Sequence, residues 1–124
     1  MKEILLKKAK EASEKAYAPY SGFKVGAALL TKSGKIFTGC NVENASYGLS
    51  NCAERTAIFK AVSEGEKDFS EILIYVNDEK MFYPCGACRQ VMSEFSEDLK
   101  ITIVSNAEVV ETDIKKLLPL SFRL

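Results

Sequence analysis

The chain has 124 residues, and its 17 basic residues balance its 17 acidic residues. This length is typical of one domain whose core needs no disulfide bonds, so we expect a single domain over residues 1–124. The interspersed charge argues against a nucleic-acid partner, and the absence of an export signal or long apolar run predicts a cytoplasmic protein that does not enter a membrane.

The first 40 residues predict a helix followed by a β-hairpin. Apolar residues recur at helical spacing among lysines and glutamates over residues 2–15. Residues 25–31 indicate a buried strand, and residues 36–40 indicate its antiparallel return strand. The four residues between them, Lys-Ser-Gly-Lys, are typical of a turn.

The middle of the chain predicts two helices that flank a buried strand. A polar loop over residues 41–51 ends in Ser50 and Asn51, either of which can cap a helix over about residues 52–64. The nearly unbroken apolar run at 71–77 predicts a strand buried on both faces. Pro84 then introduces a second helix over about residues 85–95.

The last quarter predicts two strands and a short helix. Residues 100–105 and 108–111 indicate the strands, and Thr112 is expected to cap a helix that ends at Leu118. Strand-helix-strand order implies right-handed parallel crossovers, whereas the short gap between the last two strands makes that pair antiparallel. We therefore predict an α/β fold, a three-layer α/β/α sandwich with a five-stranded mixed sheet.

Three cysteines and one glutamate lie where the two central helices begin. Cys52 and Glu54 open the first of these helices, and Cys85 and Cys88 open the second. Helix N-termini that follow such strands meet at one edge of the sheet, so we expect the three cysteines to lie together. Three thiolates can hold a zinc ion and leave its fourth position open for chemistry. Glu54 would transfer protons at that position.

The cysteines also permit a different interpretation. Cys85 and Cys88 alone would fit a redox dithiol, or a structural zinc site whose fourth ligand would be Cys40. Cys40 ends a predicted strand among apolar residues, where a free cysteine usually packs as a small hydrophobic group. We therefore interpret Cys40 as structural and the other three cysteines as ligands of one Zn²⁺ per subunit.

The joint motifs resemble the small homotetrameric zinc-dependent cytidine deaminases. The resemblance rests on Cys-Ala-Glu-Arg-Thr-Ala at 52–57 and Pro-Cys-Gly-Ala-Cys-Arg-Gln-Val at 84–91, and it extends to residues 18–30, 39–47 and 117–119. It implies hydrolysis of free cytidine and 2'-deoxycytidine to uridine and 2'-deoxyuridine plus ammonia by a zinc-activated water, in pyrimidine salvage. In this scheme Glu54 is the catalytic proton carrier.

The same resemblance implies the residues that contact the substrate. Asn41 and Glu43 are expected to hydrogen-bond the ribose, and Phe23 is expected to pack against the pyrimidine. The backbone of Ala53 would meet the edge of the base. Relatives with the same core deaminate other amino-heterocycles, but the Asn-Val-Glu-Asn loop at 41–44 and the small size favour a free nucleoside.

Residues outside this set are expected to support the site. Arg55 would donate hydrogen bonds to the cysteine sulfurs and offset their negative charge. The resemblance implies that Tyr47 and Phe122 reach the site of a neighbouring subunit in a homotetramer. Two residues depart from the pattern of the family: Tyr83 replaces a common serine, and Leu120 replaces a residue that is usually small.

Overall fold

The computed structural model describes residues 1–124 and contains one five-stranded sheet. The strands are β1 (Val25–Thr31), β2 (Ile36–Cys40), β3 (Phe69–Val76), β4 (Lys100–Val104) and β5 (Val109–Asp113). The helices are α1 (Lys2–Ser13), α2 (Ala53–Ser63), α3 (Gly86–Phe95) and α4 (Ile114–Leu117), with a 3₁₀ turn at Tyr47–Leu49. None of the helices combines the length and the apolar character that crossing a bilayer requires.

The order of the strands confirms a mixed sheet. The strands lie in the order β2-β1-β3-β4-β5, with β1 antiparallel to both of its neighbours. β3 and β4 are parallel and are joined through α3, whereas β4 and β5 are antiparallel, as the short gap between them predicts. β2 and β3 point the same way with β1 between them, and α2 connects them. The helices α2 and α3 therefore both begin at the same end of the sheet.

Both faces of the sheet are covered by helices, which confirms the three-layer sandwich. In β3, Ile72 and Ile74 face the core formed with α2, α3 and α4. Leu73 and Tyr75 face the opposite side, where they join the smaller core beneath α1. The unbroken apolar run in this strand thus reflects burial on two faces.

Gly39 allows α2 to pack directly on the edge strand β2. A Cβ atom at this position would lie 2.5 Å from the carbonyl oxygen of Ala53 and 2.5 Å from the backbone nitrogen of Ala57. Any side chain at residue 39 would therefore push α2 outwards. This close approach fixes the position of the N-terminal turn of α2, which carries Glu54.

The predicted cap of α2 is wrong, because the helix begins at Ala53 and Cys52 takes the N-cap position. Cys52 is the N-cap residue in an extended conformation, and no side chain caps the helix. The Ser50 hydroxyl instead accepts from the Asn44 backbone, and the Asn51 amide donates to the Thr56 hydroxyl. Asn51 also pairs with Val42 through backbone hydrogen bonds, which keeps the chain extended up to Cys52.

The predicted cap of the last helix is also wrong. Thr112 belongs to β5, where it pairs with Ile101 of β4. Asp113 caps α4 instead, and its Oδ1 accepts a hydrogen bond of 2.9 Å from the backbone of Lys116. The predicted first helix extends to residue 15, whereas α1 ends at Ser13.

Candidate active site

Three cysteine sulfurs form a cluster at the N-termini of α2 and α3. Cys52 and Cys85 are the N-cap residues of these helices, and Cys88 lies one turn into α3. The Sγ atoms of Cys52 and Cys85 are 3.8 Å apart, those of Cys85 and Cys88 are 3.5 Å apart, and all three lie within 4.8 Å of one another. The extended conformation of each cap residue directs the chain into the helix and leaves its sulfur at the shared edge of the sheet.

The cluster has the dimensions that a zinc ion requires. Tetrahedral zinc with Zn–S bonds of about 2.3 Å separates its sulfur ligands by ~3.8 Å, close to the distances in the cluster. The group that could hold a metal comprises these three residues, which would leave one tetrahedral position without a protein ligand. Cys40 is outside this group and lines a separate surface cavity between α1 and α2. The three-ligand set therefore fits a catalytic zinc site better than a closed structural one.

Arg55 places its guanidinium against the sulfur cluster. Its Nη2 donates to the Sγ of Cys52 at 3.5 Å, whereas its Nε is buried without a hydrogen-bond partner. Hydrogen bonds from Cys88 and Arg55 lower the pKa of the Cys52 thiol to about 5, despite its partial burial. The pKa of the Cys88 thiol is raised, because it donates to Cys52 and is itself buried. The surroundings therefore favour a thiolate at Cys52.

Glu54 lies beside the sulfurs and is almost completely buried. Only 5% of the residue is exposed, yet it lines a cavity together with Cys52 and Cys85. Burial raises the pKa of its carboxyl group to about 7, and the nearby charge of Cys52 adds to the shift. A carboxyl group with this pKa can both accept and donate a proton near neutral pH.

The cavity in front of Glu54 is lined by both polar and apolar residues. Its volume is about 220 Å³. The polar lining includes Asn41, Glu43 and Asn51. Apolar and aromatic groups come from Phe23, Val25, Ala53, Ile74, Val76, Phe82 and Tyr83. This mixed lining suits a small ligand that carries both an apolar ring and polar groups.

The side chains of Asn41 and Glu43 organise the segment that precedes β1. Asn41 accepts from the backbone of Val25 at 2.9 Å and donates to the carbonyl of Phe23 at 2.8 Å. Glu43 accepts from the backbone nitrogens of Tyr20 and Ser21 and from the Ser21 hydroxyl, whose hydrogen bond lowers the pKa of the carboxylate. Asn41 keeps one free amide hydrogen, and Glu43 keeps unused lone pairs, so both can still bind a ligand.

Tyr47 and Phe122 do not line this cavity within the single chain. Tyr47 lies in the 3₁₀ turn, is 75% exposed and contacts the ring of Tyr20, with 6.0 Å between the ring centroids. Phe122 lies in the C-terminal tail and is 69% exposed. Of the predicted substrate contacts, the chain therefore brings together Phe23, Asn41, Glu43 and Ala53.

Phe82 lines the cavity although sequence reasoning did not identify it. Its ring centroid lies 4.5 Å from that of Phe23, and the two ring planes are inclined by 60°. One sequence feature could have indicated Phe82 as a cavity residue: it forms an aromatic pair with Tyr83 directly before the Pro-Cys motif, in a loop that begins with four polar residues. Asn51, which the sequence predicts only as a possible helix cap, also lines the cavity.

Comparison with known proteins gives one consistent result. Residues 1–104 match the family model described as the cytidine and deoxycytidylate deaminase zinc-binding region. The chain is similar to the cytidine deaminase of Halalkalibacterium halodurans, with 49% identity over 123 residues that cover 98% of this chain and 93% of the relative. It is 48% identical to the cytidine deaminase of Sporosarcina psychrophila over 122 residues, which cover 97% and 90% of the two chains. The crystal structure of cytidine deaminase from Burkholderia pseudomallei superposes with a TM-score of 0.93 at 50% identity, covering 98% of this chain and 99% of the other.

Proposed function

The chain belongs to the family of cytidine and deoxycytidylate deaminases, and from this premise we propose how its residues hydrolyse cytidine to uridine and ammonia. The observation that carries the proposal is the position of Glu54, which is buried beside three clustered sulfurs and faces a cavity. An ordinary carboxylate at a helix N-terminus would face solvent.

Cys52, Cys85 and Cys88 would hold the zinc ion of the family. When bound, zinc lowers the pKa of a water molecule and so supplies the nucleophile at neutral pH. Arg55 would hold the Cys52 sulfur in place and offset part of the negative charge of the three thiolates.

Glu54 would carry the protons of the reaction. Its carboxylate would take a proton from the water that attacks C4 of the pyrimidine and deliver it to ring nitrogen N3. It would then take the proton of the new C4 hydroxyl, which becomes the carbonyl of uridine, and deliver it to the departing amine. The sum is one water consumed and one ammonia released. Burial of the carboxyl group keeps bulk water away from these transfers.

The lining of the cavity supports the assignment of the substrate contacts. The Phe23 ring would pack against the base, and the backbone of Ala53 would meet its polar edge. Asn41 and Glu43 would hold a hydroxyl group of the sugar with their free hydrogen-bonding capacity. If the hydroxyl that they hold is not the 2'-hydroxyl, the site would accept both cytidine and 2'-deoxycytidine, in keeping with a role in pyrimidine salvage in the cytoplasm.

The decisive experiment follows the ultraviolet shift from cytidine to uridine with the zinc-loaded protein. We expect turnover by the wild type and a loss of about 10²- to 10⁴-fold in kcat for Glu54→Gln, which keeps the size of the side chain but cannot carry protons. Glu94→Gln on the exposed side of α3 is the matched control and should keep full activity. A zinc-loaded wild type without turnover would instead indicate a noncatalytic zinc-binding module.

We further propose a homotetramer in which Tyr47 and Phe122 complete the site of a neighbouring subunit. The C-terminal tail presents three alternating apolar side chains to solvent: Leu120, Phe122 and Leu124. Gln90 donates to the carbonyl of Phe122 at 3.3 Å, and Arg123 donates to the carbonyl of Ser93 at 2.9 Å, so the tail is held along α3 with these side chains outward. Contiguous apolar surface of this kind often marks a site of protein–protein contact, which supports the proposal. Sedimentation should give a tetramer, and a fully active monomer would contradict the proposal.

A further inference from the structure

One wall of the cavity is a short segment between β3 and α3 that is fastened at both ends. At its beginning, the carbonyl of Asp78 accepts from the backbone of Asn106 at 2.9 Å, and the carbonyl of Glu79 accepts from the Ser105 hydroxyl at 3.3 Å. At its end, Arg89 donates to the carbonyl of Pro84 at 2.7 Å. These hydrogen bonds anchor both ends of the segment, which contributes Phe82 and Tyr83 to the cavity lining.

Phe82 occupies the middle of this segment and turns its ring into the cavity. The ring packs against Phe23 at 4.5 Å between centroids, and the Nζ of Lys80 lies 5.3 Å from its centroid. Contact with these two neighbours favours the observed orientation of the ring. Phe82 is only three residues before Cys85, and both residues line the cavity.

The chemistry of cytosine decides which of its atoms faces this wall. C4 must lie beside the sulfurs and Glu54, and the polar edge at N3 must face Glu54 and Ala53 on α2. The opposite edge of the ring, C5 and C6, carries no hydrogen-bonding group and suits apolar lining residues. C5 is bonded directly to C4, so we assign it to the lining segment that leads to Cys85 and carries Phe82.

We propose that Phe82 is a specificity-determining residue that limits the size of the substituent at C5 of the pyrimidine. This inference rests on the proposed function. Its basis is one aromatic ring that lines the cavity, packs on Phe23 and belongs to a segment tied at both ends directly before Cys85. A methyl group at C5 would meet this ring.

The test compares cytidine with 5-methylcytidine as substrates of the wild type and of Phe82→Val. The wild type should prefer cytidine by about tenfold or more in kcat/KM, the usual scale for one added methyl group in a tight pocket. Phe82→Val should reduce this preference to about threefold or less. Equilibrium binding of the two products, uridine and 5-methyluridine, should show the same change in their ratio of dissociation constants. A general loss of packing would weaken both ligands alike.

Phe59→Val is the matched control, because Phe59 is a half-exposed phenylalanine on α2 that does not line the cavity. It should leave the preference at the wild-type value. If Phe82→Val does not fold, Phe82→Leu serves as the second variant and should reduce the preference in the same direction. Equal use of both substrates by the wild type, or an unchanged preference in a folded Phe82 variant, would overturn the inference. Failure to deaminate cytidine at all would instead reject the proposed function.

Discussion

The four cysteines of the chain are chemically identical but lie in different surroundings. Cys52, Cys85 and Cys88 share one cluster at two helix N-termini, whereas Cys40 ends β2 away from it. The contrast provides an internal comparison, since the same substitution can be made inside and outside the cluster.

Replacing a cysteine of the cluster with serine should remove zinc, whereas the same change at Cys40 should not. A serine hydroxyl is a poor zinc ligand, so Cys52→Ser should reduce the zinc content well below one ion per chain after dialysis. Cys40→Ser should keep about one ion per chain and its activity. Elemental analysis of the dialysed proteins measures the difference. A loss of zinc from Cys40→Ser equal to that from Cys52→Ser would indicate a closed four-cysteine site.

Removing the Arg55 guanidinium should weaken metal binding without removing a ligand. Arg55→Ala loses the hydrogen bond to the Cys52 sulfur, and changes of this kind typically cost about 10- to 100-fold in metal affinity. Competition with a chromophoric chelator gives the dissociation constant of zinc. Arg123→Ala is the control, because this arginine contacts Ser93 and Glu97 rather than sulfur. Full zinc affinity and activity in Arg55→Ala would show that Arg55 does not support the cluster.

Residues with a fixed spacing in the chain were predictable, whereas residues placed by packing were not. Cys52, Cys85 and Cys88 follow from the ligand spacing and from the two helix starts, and the structure brings them together. Phe82 reaches the cavity only because β3 and β4 fix the path of the segment that carries it, which no local pattern reveals. An aromatic residue before a proline has many uses, so the sequence could not distinguish them.

At the scale of the elements, the succession of helices and strands and the directions of the β1–β2, β3–β4 and β4–β5 pairs followed from their spacing, but the helix caps did not. Polar residues before a helix are good caps in general, and this favoured Ser50 and Asn51. Their side chains instead form hydrogen bonds with Asn44 and Thr56, and Cys52 becomes the N-cap residue of the helix. Tertiary hydrogen bonds thus set the boundary that places Cys52 at the cluster.

The contact between β2 and α2 should tolerate no side chain at residue 39. In Gly39→Ala the new Cβ would meet the backbone of Ala53 and Ala57 at 2.5 Å, so α2 must shift. We expect the free energy of unfolding to fall by at least about 2 kcal/mol, as in other overpacked cores. Activity should fall as well, since α2 carries Glu54. Urea unfolding at a fixed protein concentration measures the change.

Gly48→Ala is the control for this substitution. A Cβ at residue 48 would meet no atom within 4 Å, so the free energy of unfolding should change by no more than about 0.5 kcal/mol. Equal stability of the two variants would show that the helix can move away from the strand at little cost.

At the scale of the whole molecule, a single chain leaves part of its apolar surface exposed to solvent. Tyr47 and Leu49 in the 3₁₀ turn are strongly exposed, as are the side chains that point outward from the tail. The cavity is bordered by the chain itself at Phe23, Asn41 and Phe82, and it lacks any residue from the tail. A shared site would account for both features, because a neighbouring tail would cover apolar surface and complete the cavity.

Mixing two defective variants tests whether the sites are shared. Glu54→Gln lacks the proton carrier, and Phe122→Ala lacks the aromatic ring that we propose enters a neighbouring site. In a mixed oligomer, a subunit with an intact Glu54 can receive an intact Phe122 from a Glu54→Gln neighbour, so some sites regain both groups. We therefore expect the mixture, after dissociation and reassembly, to exceed the summed activities of the separate variants. Reassembling each variant alone is the control. If each site belongs to one chain, the activity of the mixture will equal the mean of the two separate activities, weighted by the amount of each variant.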